Sequence, residues 1–381
     1  MDIHNKPDNN PLKELALLFL KLGTISFGGP AVHIAMMEDE VVKKRNWMNE
    51  QHFLDLIGAT NLIPGPNSTE MAIHIGHERA GWKGLIVAGL CFILPAVIIT
   101  GFFAVLYKEY GQLPQVQPFI YGIKPAIIAI ILAAIYPLAK KSLKTIELGI
   151  IGIIALILCL IGINEIYVMF GAGLVALALA GIRNNKFNSI NSFFPFILLQ
   201  SYNSGFLSIR NISIFFTFLK IGAVLYGSGY VLFAFLDTEL VAKGILSRQQ
   251  LIDAIAVGQF TPGPVFSSVT FIGYQINYFT GALTATIGIF LPSFLFVALL
   301  NPLISKMRNS KLFSAFLDAV NVASIAIIVA ICYQMGKSSV SDWRTIVIAV
   351  ASLTIVFGFR KTNSALVVIA SSGLGYVLDL L

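Results

Sequence analysis

Residues 84–106 read GLIVAGLCFILPAVIITGFFAVL, a stretch without a charged side chain. As a helix, this stretch is long enough to span the ~30 Å hydrocarbon core of a bilayer. Further long apolar runs lie at residues 118–139, 146–163, 166–182, 281–300, 312–335, 345–358 and 365–381. The runs are continuous rather than alternating, which favours helices over a β-barrel. The sequence therefore predicts an all-α, polytopic membrane helical bundle.

The composition supports this prediction. The chain has 381 residues, of which 56% are hydrophobic and 12% are charged, whereas soluble domains carry about 25% charged residues. The net charge of +7 indicates membrane orientation by basic loops. No nucleic-acid partner is expected, because no stretch combines basic and aromatic residues at a polar surface. The three cysteines stand singly in apolar runs and indicate neither a disulfide framework nor a metal site.

The chain contains an internal repeat. Phe19-Leu20-Lys21-Leu22-Gly23 resembles Phe218-Leu219-Lys220-Ile221-Gly222, at an offset of 220 − 21 = 199. Further matches, in order, pair Phe27-Gly28-Gly29-Pro30 with Tyr226-Gly227-Ser228-Gly229, Glu40 with Glu239, Asp55 with Asp253, Pro64-Gly65-Pro66 with Pro262-Gly263-Pro264, and Leu94-Pro95 with Leu291-Pro292. Such an ordered series predicts a first repeat over 1–187, a linker over 188–210 and a second repeat over 211–381.

The basic loops predict that the two repeats are inverted. In the first repeat the basic residues follow the second and fourth long runs, and in the second repeat they follow the first and third. These residues are Lys140, Lys141, Lys144, Arg183 and Lys186, and then Lys306, Arg308, Lys311, Arg360 and Lys361. If basic loops are cytoplasmic, the repeats point in opposite directions. Residues 188–210 could supply the extra crossing, and an interfacial linker helix is the alternative.

Several motifs resemble the chromate transporter family. In the first repeat these are FLKLGTISFGGPAVHIAMMEDEVV and NEQHFLDLIGATNLIPGPNSTEMAIHIGHERAGWKG, and in the second FLKIGAVLYGSGYVL and LIDAIAVGQFTPGPVFSS. Two repeats in one chain resemble the long, two-domain form. The resemblance implies antiparallel halves in a bacterial inner-membrane protein that exports chromate, with sulfate as a structural analogue. The second repeat departs from the pattern at Gly229 and at Val265-Phe266, so the repeats are expected to contribute unequally to a site.

The PGP motifs are the first candidates for an oxyanion site. Pro64, Gly65 and Pro66 have the composition of a chain reversal that opens a helix, and the apolar segments beside them are too short to span. A re-entrant hairpin is therefore expected, with an ordinary surface turn as the alternative. The residues of the two tips that could bind the anion are Pro64, Gly65, Pro66, Asn67, Ser68, Thr69, Pro262, Gly263, Pro264, Ser267 and Ser268. Helix N-termini attract anions.

The FGGP motif and two lysines complete the predicted binding site. Gly28, Gly29 and Pro30 could break the first helix, and Gly227 its counterpart, whereas close helix packing through small residues is the alternative. Lys21 and Lys220 each lie in an apolar helix, where a cation is costly. They could attract a dianion, snorkel to the headgroups, or pair with Glu40 and Glu239.

Glu70, Asp55 and Asp253 are the candidates for proton coupling, because a carboxylate inside a membrane can take up and release protons. No nucleophile–base pair, P-loop or dinucleotide motif occurs, so neither an enzyme nor a cofactor is expected. The predicted function is an oxyanion antiporter driven by the proton motive force. A passive anion channel and a membrane protein that binds lipid or phosphate headgroups are the alternatives. A homodimer remains open.

Overall fold

A computed structural model describes residues 10–111, 113–183, 209–227, 229–308, 310–359 and 363–380. All regular elements in these ranges are helical. They are α1 (Pro11–Ile25), α2 (Pro30–Glu38, continued by a π-helix over Asp39–Lys44), α3 (Glu50–Thr60), α4 (Asn67–Tyr110), α5 (Gln117–Ser142), α6 (Ile146–Leu160), α7 (Glu165–Arg183), α8 (Ile209–Val224), α9 (Val231–Leu236, continued by a π-helix over Asp237–Val241), α10 (Arg248–Phe260), α11 (Ser268–Arg308, preceded by a 3₁₀ turn over Val265–Ser267), α12 (Lys311–Ser339), α13 (Trp343–Gly358) and α14 (Ser364–Asp379).

Five helical segments of the described chain are long and apolar enough to cross a membrane. They are Asn67–Tyr110, Gln117–Ser142, Glu165–Arg183, Val265–Leu299 and Leu312–Ser339. The runs predicted at 146–163, 345–358 and 365–381 form the shorter apolar helices α6, α13 and α14. Large apolar side chains on the outside of the bundle, such as Ile98 and Phe102, are more than half exposed, as lipid contact requires. The predicted all-α, polytopic membrane bundle is confirmed.

Helices α4 and α11 are each folded into a hairpin. The backbone leaves helical geometry at Ala80–Gly81 in α4 and at Asn277–Tyr278 in α11. On either side of the first turn, Gly76 packs against the backbone of Gly84, and Gly273 packs against Gly281 in the same way. Each helix therefore has a short arm, over 67–79 or 268–276, and an antiparallel long arm, over 82–110 or 279–308. At ~1.5 Å per residue, only the long arms can cross a bilayer.

Helices α1 and α2 form a second type of hairpin, broken at residues 26–29. Lys21 Nζ lies 2.9 Å from Glu40 Oε1, and the His33 ring Nε2 lies 3.1 Å from the carbonyl oxygen of Ser26. These contacts require the chain to reverse at the FGGP motif, where Gly28 has a φ of +117°. Helices α8 and α9 repeat the arrangement, with Lys220 Nζ 2.7 Å from Glu239 Oε1.

Helix α3, the PGP turn and the short arm of α4 form the predicted re-entrant hairpin. The Asn49 side chain accepts a hydrogen bond from the His52 N–H at 2.8 Å, which caps α3. In the second repeat a Ser247–Gln250 capping box begins α10 at the equivalent position. Caps at both places satisfy N–H groups that the helix itself leaves free. Each PGP turn therefore connects two short helices, neither of which spans.

Both PGP tips lie beside the middle of a long arm. Gly263 approaches Ala96, near the centre of the arm over 82–110. Gly65 approaches Ser293, near the centre of the arm over 279–308. The predicted re-entrant hairpins thus end halfway through the bundle rather than at its surface.

The two repeats are inverted. Gly89, near the start of one long arm, lies against Phe294, at the middle of the other. At the end of the first arm, Lys108 Nζ lies 5.2 Å from the ring centre of Tyr278, just before the other arm begins. The two long arms, which are repeat equivalents, therefore run antiparallel. This agrees with the orientation that the basic loops predict.

The bundle has two ends, which we call the basic face and the far face. The basic face carries Lys140, Lys141, Lys144 and Arg183, where Lys144 pairs with Asp318 at 2.7 Å and Arg183 pairs with Glu147 at 3.2 Å. The far face carries Lys108, Tyr121 and Asp342, the last two joined by a hydrogen bond. Helix α5 packs on α13 and α14, and α12 packs on α6 and α7. One helix of each repeat therefore packs among helices of the other repeat.

The predicted linker and extra crossing over 188–210 fall almost entirely outside the described residues. The described chain on either side lies at opposite faces, as an extra crossing would require. Arg183 ends α7 at the basic face, whereas Asn211 contacts Asn277 at 2.6 Å near the far face. The crossing itself remains a prediction.

Inversion makes a direct prediction about two equivalent lysines. Lys140 and Lys337 occupy matching positions in the repeats (337 − 140 = 197, the offset of the Leu-Pro pairs), and both are exposed. In a background without Cys91, Cys159 and Cys332, we expect Lys140→Cys to react with a membrane-impermeant maleimide only from the basic face. Lys337→Cys should react only from the far face.

The measurement compares labelling of right-side-out and inside-out vesicles, with detergent-opened vesicles as the control for full reactivity. Labelling of both cysteines from the same face would contradict the inverted arrangement.

Candidate functional site

Four helix breaks meet in the middle of the bundle. The Gly65 N–H donates a hydrogen bond to the carbonyl oxygen of Leu225 at 2.8 Å, and the Gly263 N–H donates one to the carbonyl oxygen of Ser26 at 2.8 Å. Leu225 and Ser26 are themselves equivalents, 225 − 26 = 199. Each PGP tip is thus bonded to the broken first helix of the opposite repeat.

Only glycine fits the centre of each tip. Gly65 has a φ of +139° and Gly263 a φ of +88°, a region that L-residues avoid. A Cβ on Gly65 would collide with Glu70 Oε1, and one on Gly263 would lie 2.9 Å from the Cβ of Ala96. The flanking prolines lack an N–H. The PGP sequence therefore presents a single donor at the tip and allows it to approach the opposite repeat closely.

Glu70 is fully buried beside the first tip. Its Oε1 lies 3.4 Å from Ser293 Oγ, on the long arm of the second repeat, and its Oε2 has no hydrogen-bond partner among the described residues. The equivalent position in the second repeat is Ser268 (268 − 70 = 198), whose Oγ is also buried and unpartnered in the described chain. An acid therefore stands on one side of the tips and a hydroxyl on the other.

The remaining tip residues are neighbours of this pair in the chain. Ser68, Thr69 and Ser267 are buried, and Thr69 Oγ1 has no hydrogen-bond partner in the described part of the chain. The Asn67 side chain donates to Asn61 Oδ1 at 2.8 Å. Helix α4 begins at Asn67 and α11 at Ser268, so two helix N-termini, with their partial positive charge, lie at mid-depth.

The FGGP break and its counterpart lie next to the tips. Gly29 and Pro30 begin α2, after the turn at Gly28. In the second repeat Gly227 lies close to Ser324, and Ser324 Oγ donates to the Tyr226 carbonyl oxygen at 3.2 Å. The structure therefore brings the predicted glycines of both first hairpins to the same region as the PGP tips.

Lys21 is paired rather than isolated. Its partner Glu40 also accepts from Lys44 Nζ at 3.3 Å and Arg45 Nε at 3.4 Å. The hydrogen bond from Lys21 lowers the pKa of Glu40 and outweighs the opposite effect of burial. Lys21, Lys44 and Arg45 thus face an ionised Glu40, and the cluster keeps a positive excess towards the basic face.

Lys220 has the same arrangement in the second repeat. Burial raises the pKa of Glu239, but hydrogen bonds from Lys220 and Lys243 outweigh burial and hold it below its usual range. Of the three roles that the sequence left open for the lysines, the structure shows pairing with Glu40 and Glu239. An additional role in attracting the anion stays a prediction.

Asp55 and Asp253 lie apart from Glu70. Asp253 accepts hydrogen bonds from Tyr107 Oη at 2.6 Å and from Gln249 Nε2 at 3.0 Å, about two turns from the second tip. Asp55 lies on a partly exposed stretch of α3, where Gln51 Nε2 donates to it at 3.3 Å. The structure therefore brings together Glu70 and the tips, but not the three predicted proton carriers.

Ser293 is a site residue that the sequence did not single out. It follows Pro292, where the first repeat has Ala96 after Pro95. In the sequence, Ser293 could have been identified as a serine that takes the place of an alanine directly after a repeated proline, inside an apolar run. His74 is buried one turn beyond Glu70, and its Nε2 has no hydrogen-bond partner in the described residues.

Comparison with known proteins identifies the family. A family model described as chromate transporter matches residues 13–177 and 212–376. A chromate transport protein of Cupriavidus metallidurans is 30% identical, over 98% of this chain and 95% of its own. A probable chromate transport protein of Synechococcus elongatus is 30% identical, over 90% of this chain and 89% of its own. An uncharacterised transporter of Methanocaldococcus jannaschii is 25% identical, over 99% and 97%.

No solved structure matches the chain. The family model nevertheless covers nearly all of both repeats, including the FGGP break, both PGP tips and the long arms beside them. The paired tips are therefore a feature of two copies of one family unit. The chain belongs to the chromate transporter family, whose members are membrane transporters rather than enzymes.

Proposed function

We propose that the protein exports chromate from the cytoplasm across a bacterial inner membrane, with sulfate as a competing analogue, and that the proton motive force drives export. The observation that carries this proposal is the meeting of two PGP tips at mid-depth, from opposite faces, beside the buried Glu70. Inverted repeats with broken helices at the bilayer centre are a common arrangement for binding the substrate in secondary transporters.

Chromate is a small tetrahedral dianion, and the tips have the groups that bind such an ion. The N-termini of α4 and α11 carry partial positive charge. Thr69 and Ser268 have buried hydroxyls without partners in the described chain, and these can donate to oxyanion oxygens. Among the described residues, the hydrogen bonds of the tips involve no lysine or arginine. A site that relies on partial charges can release a dianion more readily than one with fixed cations.

Glu70 would couple this site to protons. An ionised Glu70 would repel a dianion bound at the tips, so protonation of Glu70 favours anion binding. Burial with an unpartnered oxygen favours the neutral acid as well. The electrostatics of the site therefore favour an anion that binds together with a proton.

The membrane potential would then supply the driving force. Moving one elementary charge across 100 mV changes the free energy by about 2.3 kcal/mol. The free energy of a dianion therefore falls by about 4.6 kcal/mol when it leaves a cell whose interior is negative by this amount. Export stays favourable with one proton carried along, because the complex still bears one negative charge. Co-export of a proton works against the pH gradient of the cell, whereas an antiport cycle, in which Glu70 takes up an external proton as the anion leaves, would be driven by both the membrane potential and the pH gradient.

The direction of export requires an orientation. The basic face carries Lys140, Lys141, Lys144 and Arg183, and basic loops remain in the cytoplasm. We therefore place the basic face inside the cell, so that the hairpins of the first repeat enter from the cytoplasm.

The experiment that tests the proposal is uptake of labelled chromate by inside-out vesicles. We expect accumulation when the vesicle interior is made positive, and inhibition by excess sulfate. Valinomycin with potassium imposes the membrane potential alone, and nigericin with potassium imposes the pH gradient alone. Uptake that only equilibrates, whatever the gradient, would indicate a passive channel. Absence of uptake by folded protein would favour another substrate or a protein that binds headgroups.

Replacement of Glu70 by glutamine should separate binding from coupling. Glutamine mimics the neutral acid but cannot release a proton. We expect the response of chromate uptake to an imposed pH gradient to fall at least about tenfold in Glu70→Gln (~1.4 kcal/mol per factor of ten). Uptake driven by the membrane potential and chromate binding to purified protein should persist, and binding should lose its dependence on pH. Uptake in vesicles and binding between pH 5.5 and 8.5 are the measurements.

Glu147→Gln is the matched control, because Glu147 is an exposed partner of Arg183 at the basic face and should leave both properties unchanged. Wild-type accumulation with a normal pH dependence in Glu70→Gln would remove Glu70 from the coupling mechanism.

Replacement of Lys21 tests whether the lysine clusters attract the anion. Lys21→Ala leaves Glu40 with Lys44 and Arg45, so the protein should fold. We expect the half-saturating chromate concentration to rise about three- to tenfold, since a unit charge at ~10 Å through a partly aqueous medium contributes about 1 kcal/mol. The effect should weaken at high ionic strength.

The charge-conserving Lys21→Arg should bind chromate normally, and Lys21→Ala/Glu40→Gln should recover most of the loss because local net charge is restored. Equal affinity in Lys21→Ala and the wild-type protein would limit Lys21 to its structural pairing with Glu40.

A further inference from the structure

Equivalent positions of the two repeats differ sharply in burial. Val32 on α2 is 45% exposed, whereas Val231 on α9, its repeat equivalent (231 − 32 = 199), is 0% exposed. Ala35 is exposed and its equivalent Ala234 is buried. The residue types are identical, so the difference lies in how each first hairpin packs against the surrounding helices.

The second repeat is closed towards the far face. Helix α9 packs against α12 and α7, and polar contacts join these elements. Thr238 Oγ1 donates a hydrogen bond to Glu165 Oε2 at the start of α7. Arg248, at the start of α10, donates to Gln334 of α12 at 3.3 Å. Helix α10 is buried over almost its whole length, against α5 and α14.

The first repeat is open towards the basic face. Helices α5 and α14 are the repeat equivalents of α12 and α7. If both repeats packed in the same way, α2 would therefore contact α5 and α14, yet in the described chain it packs chiefly on its own repeat. Its uncovered side lines a cleft of about 550 Å³, whose walls include Lys21, Val32, Ala35, Asp39 and Lys44. Three of these side chains are charged, and charged groups in such a cleft require water rather than lipid.

Helix α3 gives independent support for a water-filled opening. In contrast to α10, it is half-exposed, and Gln51 and Asn61 are on the exposed side together with the partly exposed Asp55. Asn61 is hydrogen-bonded to Asn67 at the first PGP tip. Polar side chains therefore lie on the exposed side of α3 both near the basic face and at the tip, with Leu54 and Gly58 between them.

We propose that the structure is the state open to the basic face, and that transport exchanges the packing of the two repeats. In the alternate state α2 closes on α5 and α14, while α9 separates from α12 and α7 and opens the tips to the far face. This mechanism rests on the proposed function only for the identity of the transported ion.

The repeat offset identifies the contact that closes the basic face in the alternate state. The Thr238–Glu165 contact maps onto Asp39 and Ser364, because 238 − 39 = 199 and 364 − 165 = 199. Donor and acceptor change places, since Ser364 would donate to Asp39, but the hydrogen bond is retained. In the present structure Asp39 instead pairs with Lys44 at 2.8 Å, and Ser364 Oγ donates to the Gln259 carbonyl oxygen at 3.4 Å.

Cysteine pairs test this exchange in the full-length chain, in a background without native cysteines. Glu165→Cys/Thr238→Cys should form a disulfide rapidly in the resting protein. Asp39→Cys/Ser364→Cys should form one at least about tenfold more slowly, because a minor conformation is populated at about 0.1–10%. Both pairs join the two repeats, so a protease site placed between the repeats reports each disulfide on a non-reducing gel.

Each disulfide should stop chromate uptake, and a reductant should restore it. Asp39→Cys/Lys337→Cys is the control, because Lys337 lies at the far face in both states, and it should not crosslink. If Asp39→Cys/Ser364→Cys never crosslinks, or crosslinks as fast as the far-face pair, the exchange is contradicted. The same holds if Ala35→Cys alone gives disulfide-linked dimers, because a second copy would then cover the cleft.

The two proposals fail in different ways. Slow crosslinking of Asp39→Cys/Ser364→Cys that chromate does not accelerate would uphold the exchange and argue against chromate as the transported ion. Absence of this crosslink in a protein that accumulates chromate would uphold the proposed function and overturn the exchange.

Discussion

The hydrogen bonds from Gly65 to Leu225 and from Gly263 to Ser26 are the interactions on which the site depends. The hydrocarbon core offers no water to a free backbone group, so irregular backbone is tolerated there only when the protein supplies its partners. In each repeat two helices are broken at mid-depth. The glycine N–H of each PGP break donates a hydrogen bond to a backbone carbonyl oxygen of the other repeat. Neither repeat can bury its PGP tip alone, which explains why the long arms pack together at their centres.

Duplication also allowed the two copies to diverge where chemistry requires it. Glu70 and Ser293 occupy positions that are Ser268 and Ala96 in the other copy, so one side of the tips carries an acid with a hydroxyl partner and the other a single hydroxyl. A second buried acid facing Glu70 would repel a dianion more strongly. The tip glycines, by contrast, are retained in both copies because the backbone geometry permits nothing else.

The sequence predicted the elements that local composition determines. The apolar runs identified the membrane bundle, the PGP and FGGP motifs marked the helix breaks, and the basic loops indicated inversion. The turn at Ala80–Gly81 was not predicted, because no proline marks it and only the packing of Gly76 on Gly84 reveals the reversal. The partners of Lys21, the separation of Asp55 and Asp253 from Glu70, and the part played by Ser293 all depend on contacts between segments far apart in the chain. Local composition carries no record of such contacts.

Inverted duplication has an energetic consequence for transport. If the repeats were identical, exchanging their conformations would reproduce the same set of contacts, and the two states would have equal free energy. Only the positions that differ between repeats can favour one state, and many of these differences are conservative. For example, the pair Thr238 and Glu165 is replaced in the other repeat by Asp39 and Ser364, which again combine a hydroxyl with a carboxylate. A gap of a few kcal/mol is within reach of substrate binding and of the membrane potential acting on a dianion. The same symmetry that satisfies the backbone at the tips therefore also keeps the two access states close enough in free energy for the ion itself to shift the balance.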